Sequence, residues 1–338
     1  MSKIGFWIKN ARSISLPQSA LPCLTAVVLC IGQEGFLWWL ALPVLLGICA
    51  AHLGMNLADD YFDYKHDSRT RADISSNSVR ARMEKCHYLG EGKATVSQLG
   101  WAIVGFLGFA ALMGATAFVV QWLLHGWQAA MGIVIYAVLG LFVGINYSGK
   151  PLELGYHGLG ELVIGLMFGP LNMLGVQAAL TGTPFSWQML CMSVGIGCMV
   201  TNIVYVHSVM EVNADAELGK MTFARLLKNK AVMIIFIGFF ALMPFAMLAL
   251  GIAMGWWSAW YLLTLATLPM SVYLIHSTRL FAFGLPRNDT PHWWMGPMGD
   301  WDKYKAAGID WFLYRWLLAR NICTFFCLIL MLVHIFVH

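Results

Sequence analysis

The chain has 338 residues, of which 59% are hydrophobic and only 11% are charged, and its formal net charge is +4. A soluble domain needs about a quarter of its residues charged to cover its surface, so this composition excludes a soluble protein and indicates a membrane-embedded one. The basic residues lie in connections between apolar runs and form no basic stripe on a soluble domain, so nothing supports a nucleic-acid partner.

Nine apolar runs are long enough to cross a hydrocarbon core of roughly 30 Å. They lie near 15–33, 37–58, 97–124, 127–147, 158–180, 186–207, 231–254, 256–283 and 311–336. The first run lacks a small-residue cleavage site, so we interpret it as a retained span and not as a signal peptide. We therefore predict an all-α polytopic membrane protein, a bundle of nine transmembrane helices in a single domain over residues 1–338. Its longer connections lie at 59–95, 208–230 and 284–310.

The basic residues are distributed asymmetrically along the chain. All 21 Lys and Arg fall before the first run, on alternate connections after it, or at the edges of the runs beside those connections. By the positive-inside rule, these connections face the cytoplasm. The pattern predicts a multi-pass protein of the cell's inner (cytoplasmic) membrane, with a cytoplasmic N-terminus and an external C-terminus.

The second apolar run ends in a dense group of acids. Four carboxylates, Asp59, Asp60, Asp63 and Asp67, follow Asn56 within eleven residues. On a helix, the four-residue spacings place Asp59, Asp63 and Asp67 on one stripe. Mg²⁺ prefers carboxylate and phosphate oxygens, so this stripe is typical of a divalent-cation site for a diphosphate. The alternative is a solvated acidic helix end beside Lys65, Arg69 and Arg71.

A second acidic group follows the sixth apolar run on the same predicted side. His207, Glu211 and Asp215 repeat the spacing of four, and Gly219, Lys220 and Thr222 come next. Carboxylates this close repel one another unless a cation compensates them, which indicates a functional site. Two roles are open for the basic residues nearby, which are Lys220, Arg225 and those of the connection 59–95. They either contact diphosphate oxygens or serve only as charges that set the topology. His207 is either a ligand or a packed histidine.

At this point the chain resembles the UbiA-type intramembrane prenyltransferases. Their first signature, Asn-Asp-x-x-Asp-x-x-x-Asp, corresponds to Asp59, Asp60, Asp63 and Asp67, and their second to Glu211, Asp215, Gly219, Lys220 and Thr222. Two residues depart from the family pattern, because Asp59 replaces the usual Asn and Glu211 replaces the usual Asp. Both substitutions keep an oxygen donor.

Further segments resemble the menaquinone-pathway members, which join a polyprenyl chain to 1,4-dihydroxy-2-naphthoate. They are Arg12 to Pro17, Asn56-Leu-Ala, Gly92 to Gln98, Tyr147 to Pro151 and Gly155 to Glu161. The resemblance extends over about residues 10–230 and is absent beyond about residue 284. It implies helices around a cavity open to lipid, and Mg²⁺-dependent transfer of a polyprenyl group from its diphosphate to an aromatic acceptor.

The resemblance also implies roles for individual residues. The metal ligands are expected to be Asp59, Asp60, Asp63, Asp67, Glu211 and Asp215, with Asp60, Asp63, Asp67, Asp215 and Tyr147 in catalysis. Substrate binding is expected of Arg12, Asn56, Lys65, Arg69, Arg71, Ser148, Lys150 and Lys220. Arg12 is a candidate partner of an acceptor carboxylate. Tyr147 either positions the acceptor and guards an allylic cation or is an interfacial anchor.

Several alternatives stay open from the sequence. Within the same superfamily, the alternative acceptors are a hydroxybenzoate, a haem, a glycerol phosphate and a phosphoribosyl compound. A cation transporter would carry its acids nearer mid-bilayer on broken helices. An inactive scaffold would explain the departures at Asp59 and Glu211. The segment 284–310, with Trp293, Trp294 and Trp301, either lies in the headgroup region or covers the diphosphate site.

Overall fold

A computed structural model of the protein describes residues 2–66, 86–217 and 221–337. These residues form helices and connecting segments, without a strand. The α-helices are α1 Lys3–Asn10, α2 Pro17–Leu29, α3 Ala41–His66, α4 His87–Gly90, α5 Val96–His125, α6 Trp127–Ser148, α7 Gly160–Leu166, α8 Asn172–Thr181, α9 Trp187–Met210, α10 Val212–Glu217, α11 Phe223–Leu227, α12 Lys230–Ala253, α13 Leu268–Ala282, α14 Trp301–Ala306 and α15 Asp310–Val337.

Eight helical segments of the described chain are long and apolar enough to cross a membrane. They are Trp38–Lys65, Val96–His125, Trp127–Ser148, Gly160–Thr181, Trp187–Met210, Lys230–Ala253, Ala259–Ala282 and Asp310–Val337. The first predicted run corresponds to a shorter apolar helical segment, Ser13–Leu29. The all-α polytopic fold is therefore confirmed, and nine is an approximate count because one run falls short of a full span.

The chain divides into two compact units. The first comprises Met1–Leu154 and Leu174–Phe185, and the second comprises Gly155–Met173 and Ser186–His338. In the first unit, α3 packs along α5 at two glycines. A Cβ on Gly54 would lie 2.8 Å from a Leu107 methyl, and one on Gly47 would lie 3.0 Å from Met113 Cβ. Small residues let transmembrane helices approach closely, which fixes α3 as a rigid support for its acidic end.

The N-terminal segment covers that acidic end of α3 in the first unit. Phe6 and Trp7 of α1 pack against a buried cluster formed by Ala11, Leu53, Leu57, Tyr88, Leu89, Ala94 and Leu99. Ser2 caps α1 by accepting a hydrogen bond from the Gly5 amide. This apolar contact brings Arg12, the second residue after α1, next to the carboxylates of α3.

In the second unit, α9 is the most enclosed of the described spans, and the π-helical turn that follows α7 crosses it at a glycine. A Cβ on Gly169 would lie 2.5 Å from the Ser193 carbonyl oxygen and 2.6 Å from Gly197 Cα. Residues 167–171, which include Pro170, form a π-helical turn. Proline has no N–H to donate to the preceding turn, which explains the local change in hydrogen bonding.

The segment 284–310 is attached to α15 by buried polar contacts. Arg315 is fully buried and contacts both carboxylate oxygens of Asp289, at 2.6 and 3.2 Å. Asn321 donates to the carbonyl oxygens of Met295 and Pro297, at 2.8 and 2.9 Å. Trp293 is 91% exposed. These contacts fix the segment within the second unit, and both its headgroup and its lid interpretations remain predictions.

Candidate active site

Asp59, at the end of α3, is held from two sides in the first unit. The guanidinium Nη2 of Arg12 lies 3.0 Å from Asp59 Oδ2, and the hydroxyl of Ser148 donates to Asp59 Oδ1 at 2.5 Å. Ser148 is buried at the end of α6. Arg12 and Ser148, two predicted site residues that are distant from Asp59 in the sequence, are therefore both in contact with its carboxylate.

Asp60 is 1% exposed and is also bound at both of its oxygens. Arg12 Nη1 lies 2.9 Å from Oδ1, and the Tyr88 hydroxyl donates to Oδ2 at 3.1 Å. The thiol of Cys86 lies 3.5 Å from the Asp60 backbone carbonyl oxygen. A buried carboxylate needs such charge-assisted donors, because an unpaired charge in this environment is costly.

Ala11 and Arg12 link α1 to α3, Ala11 through its backbone carbonyl and Arg12 through its side chain. The Arg12 φ of 57° lies in the left-handed region, which is uncommon for a residue with a Cβ. Asn56 Nδ2 donates to the Ala11 carbonyl at 2.9 Å, and Arg12 Nη2 donates to the Asn56 carbonyl at 2.9 Å. Burial opposes the charge of Arg12, but the carboxylates of Asp60 and Asp59 more than offset it, so the pKa of Arg12 is raised.

Tyr88 and Cys86 are site residues that the sequence reasoning missed. Tyr88 is 2% exposed, and its ring makes edge contacts with Phe6 and Trp7. Burial and the neighbouring Asp60 raise the pKa of the Tyr88 phenol, which therefore stays protonated as a donor. No local motif marks these residues, since they follow a long polar connection and reach Asp60 only through the fold.

The remaining predicted residues of this unit differ in their surroundings. Asp63 is buried, Tyr147 is half-buried and Lys150 is exposed. The ammonium of Lys65 contacts the hydroxyl of Tyr61 at 2.5 Å and lies over its ring. In the described structure, Lys65 thus pairs with an aromatic ring of its own helix. Three predicted residues lie outside the described residues: Asp67, Arg69 and Arg71.

The second acidic group occupies the end of α9 and the start of α10, within the second unit. His207 Nε2 lies 2.6 Å from Glu211 Oε2, and both Glu211 and Asp215 are buried. The guanidinium of Arg225 donates to the Asp215 backbone carbonyl at 3.3 Å. The four-residue helical spacing predicted for His207, Glu211 and Asp215 is thus retained. Gly219 and Lys220 lie outside the described residues.

Glu161 supports the chain that follows this second group. Both of its carboxylate oxygens lie 3.2 Å from the backbone N–H of Phe223, the first residue of α11. A carboxylate at a helix N-terminus satisfies backbone donors that have no partner within the helix. Glu161 therefore connects the start of α7 to α11.

The donor chemistry of both acidic groups fits Mg²⁺. Their donors are carboxylate oxygens, and Mg²⁺ is commonly held by one or two carboxylates together with water and phosphate oxygens. Across 2–66, 86–217 and 221–337, no three His, Cys, Asp or Glu side chains form a ready group for a metal ion. Arg12 instead holds Asp59 and Asp60. The described residues would therefore hold a magnesium ion only together with substrate oxygens.

Comparison with known proteins gives several relatives over most of the chain. The 1,4-dihydroxy-2-naphthoate octaprenyltransferase of Mycobacterium tuberculosis is 27% identical over 256 residues, covering 76% of this chain and 81% of the relative. The Bacillus subtilis protein of the same name is 24% identical, covering 78% and 79%. A 2-carboxy-1,4-naphthoquinone phytyltransferase of Synechocystis is 34% identical over 95 residues, covering 28% and 31%.

The fold is also similar to a solved structure. A digeranylgeranylglyceryl phosphate synthase aligns with a TM-score of 0.59 and 15% identity, covering 99% of both chains. The UbiA prenyltransferase family matches residues 19–282, which is well over half of the sequence. The chain therefore belongs to the UbiA prenyltransferase family and is a membrane-embedded prenyltransferase.

Proposed function

We propose that the protein transfers a polyprenyl group from its diphosphate to 1,4-dihydroxy-2-naphthoate, in a Mg²⁺-dependent reaction of menaquinone biosynthesis. The observation that carries this proposal is the group of carboxylates near the end of α3, in which half-buried Asp59 and buried Asp60 are held by Arg12, Ser148 and Tyr88. Fixed carboxylates beside a fixed guanidinium suit a substrate that combines a metal ion with an anion.

The proposed chemistry assigns separate tasks to the residues of the first unit. Asp59, Asp60 and Asp63 hold oxygen donors at a fixed separation, and Arg12 offers N–H donors to anionic oxygens. When bound, Mg²⁺ neutralises charge on the departing diphosphate and so favours ionisation of the allylic carbon–oxygen bond. Tyr147 is the proposed residue for positioning the acceptor ring. Glu211 and Asp215 are the proposed source of carboxylate oxygens within the second unit.

The choice of acceptor rests on the relatives. The Mycobacterium tuberculosis and Bacillus subtilis relatives both bear a naphthoate prenyltransferase name, and each alignment covers about three quarters of this chain. The acceptor carries a carboxylate, for which Arg12 is the proposed partner. The other superfamily acceptors are retained as arms of the test, namely 4-hydroxybenzoate, haem, glycerol phosphate and a phosphoribosyl compound.

The experiment is a transfer assay on the purified protein in lipid nanodiscs. Radiolabelled polyprenyl diphosphates of several lengths are combined with each acceptor, with and without Mg²⁺. We expect a labelled naphthoate product that requires Mg²⁺ and is lost in Asp63→Ala. Product only with another acceptor would overturn the naphthoate assignment. No transfer to any acceptor, with ion flux in liposomes, would overturn the proposal in favour of a transporter.

A further inference from the structure

A buried polar group lies along α3 on the membrane side of the carboxylates, within the first unit. It consists of His52, Asn56, Ser15 and Ser19, which we call the His52 group. His52 is 6% exposed, with its Nε2 3.1 Å from Ser15 Oγ and its Nδ1 2.6 Å from Ser19 Oγ. Asn56 Nδ2 donates to the same Ser15 hydroxyl at 3.2 Å. The proposed reaction leaves His52 without a role.

A serine hydroxyl has a single proton and can donate only one hydrogen bond. This limit decides the directions of the hydrogen bonds in the His52 group. The Ser15 hydroxyl donates to the Arg12 backbone carbonyl at 2.8 Å, so it accepts from His52. His52 therefore carries its proton on Nε2. The Ser19 hydroxyl has two acceptors within reach, the Leu16 carbonyl at 3.2 Å and His52 Nδ1 at 2.6 Å, and in the neutral imidazole it donates to the nearer one, Nδ1. The imidazole is neutral in this arrangement and acts as a spacer between two serines.

Ser15 is the residue that fixes the backbone of Arg12. Its hydroxyl and its backbone N–H both donate to the Arg12 carbonyl oxygen, each at 2.8 Å. Arg12 needs such support, because a left-handed conformation costs roughly 1–2 kcal/mol and persists only where the surroundings determine it. His52 is therefore connected to Arg12 through Ser15 and is not itself bonded to the carboxylates by any contact described above.

We infer that His52 is a positioning residue for Arg12. Its Nε2–H orients the Ser15 hydroxyl, which holds Arg12 in the backbone conformation that directs the guanidinium to Asp59 and Asp60. The inference rests on the proposed function, because the readout is prenyl transfer. It predicts that the donor on Nε2 matters to the reaction and that its effect passes through the Arg12 side chain.

The first test compares two amide replacements of His52. A glutamine can place its amide N–H near the position of Nε2, whereas the shorter asparagine reaches only the position of Nδ1. We expect His52→Gln to keep kcat/KM within about threefold and His52→Asn to lose about tenfold or more, at equal melting temperatures. Equal activity of the two variants would overturn the inference.

The second test is a double-mutant cycle between His52→Leu and Arg12→Ala. We expect His52→Leu to lower kcat/KM about tenfold alone and to have no further effect when Arg12 is alanine. Additive losses would contradict action through Arg12. If either variant does not fold, the comparison of the glutamine and asparagine variants decides the matter.

The matched control is His125→Leu. His125 is hydrogen-bonded to Gln121 at the C-terminal end of α5. The N-terminal segment contacts the opposite end of this helix, near Leu99. We expect this variant to keep wild-type kcat/KM. A tenfold loss would show that removing any histidine of this unit is enough to lower the activity.

A wild-type protein without transfer activity would refute the proposed function itself. An active wild type with additive losses would refute only the role of His52.

Discussion

At the scale of single residues, the site combines charge with rigid hydrogen bonding. Arg12 contacts Asp59 and Asp60 with two different nitrogens, and each carboxylate has a further hydroxyl donor, Ser148 or Tyr88. Breaking a buried ion pair by removing one partner costs about 3–5 kcal/mol, since the other charge stays buried. The carboxylates are therefore held in fixed positions before any ligand arrives.

Replacing Tyr88 by phenylalanine tests whether the position of Asp60 matters for transfer. The apolar ring contacts are retained, but one donor to a buried carboxylate is lost, which is worth about 1.5–3 kcal/mol. We expect kcat/KM to fall about tenfold or more with only a small change in melting temperature. Tyr136→Phe is the control, because it removes a hydroxyl that donates to the Pro184 carbonyl. Equal losses in both variants would contradict a specific role for Tyr88.

At the scale of secondary-structure elements, glycines decide how closely helices cross. Gly169 faces the backbone of α9, where a Cβ would lie 2.6 Å from Gly197 Cα. Backbone atoms cannot rotate away as a side chain can, so an added methyl group must separate the helices. A Cβ added to Gly108 of α5 would instead meet open space within 4 Å.

These two glycines form a matched pair of substitutions. Gly169→Ala should lower stability by about 1–3 kcal/mol through overpacking, and Gly108→Ala should be neutral or slightly stabilising. The measurement is the thermal unfolding midpoint in detergent, together with the yield of folded protein. Equal midpoints for the two variants would contradict the close approach of the π-helical turn 167–171 to α9.

The attachment of the segment 284–310 to α15 gives a second element-scale prediction. Asp289→Asn leaves the guanidinium of Arg315 buried without its counter-charge, so we expect a loss of about 3 kcal/mol and faster proteolysis within the segment. Asp300→Asn removes an exposed ion pair to Lys303 and should change stability by less than about 1 kcal/mol. Similar proteolysis of both variants would argue against the attachment.

At the scale of the whole molecule, the sequence predicted what depends on local pattern. Apolar run length predicted the spans. The spacing of four predicted that Asp59 and Asp63 share a helix, which α3 confirms, and the remainder of the carboxylate stripe stays a prediction because Asp67 lies outside the described residues. The partners of those carboxylates were less accessible. Arg12 and Ser148 were singled out only by resemblance, and Tyr88 was missed, because contacts between residues dozens of positions apart depend on how helices pack and leave no periodic signal.

Orientation in the bilayer is a further whole-molecule prediction. The alternating positions of Lys and Arg predict a cytoplasmic N-terminus and an external C-terminus. A C-terminal fusion to a reporter active only outside the cytoplasm should be active, and an N-terminal fusion of the same reporter should be inactive. The reverse activities would place both acidic groups on the outer side and would contradict the proposed orientation.

The ion pairs of Arg12 have a consequence for the resting enzyme. Because a built-in counterion already offsets part of the negative charge of Asp59 and Asp60, the protein should not depend on magnesium to stay folded. A chelator should therefore stop turnover and leave the melting temperature of the wild type unchanged. In Arg12→Ala the same chelator should lower the melting temperature, since an external cation would then replace the positive charge that Arg12 supplies to these two acids.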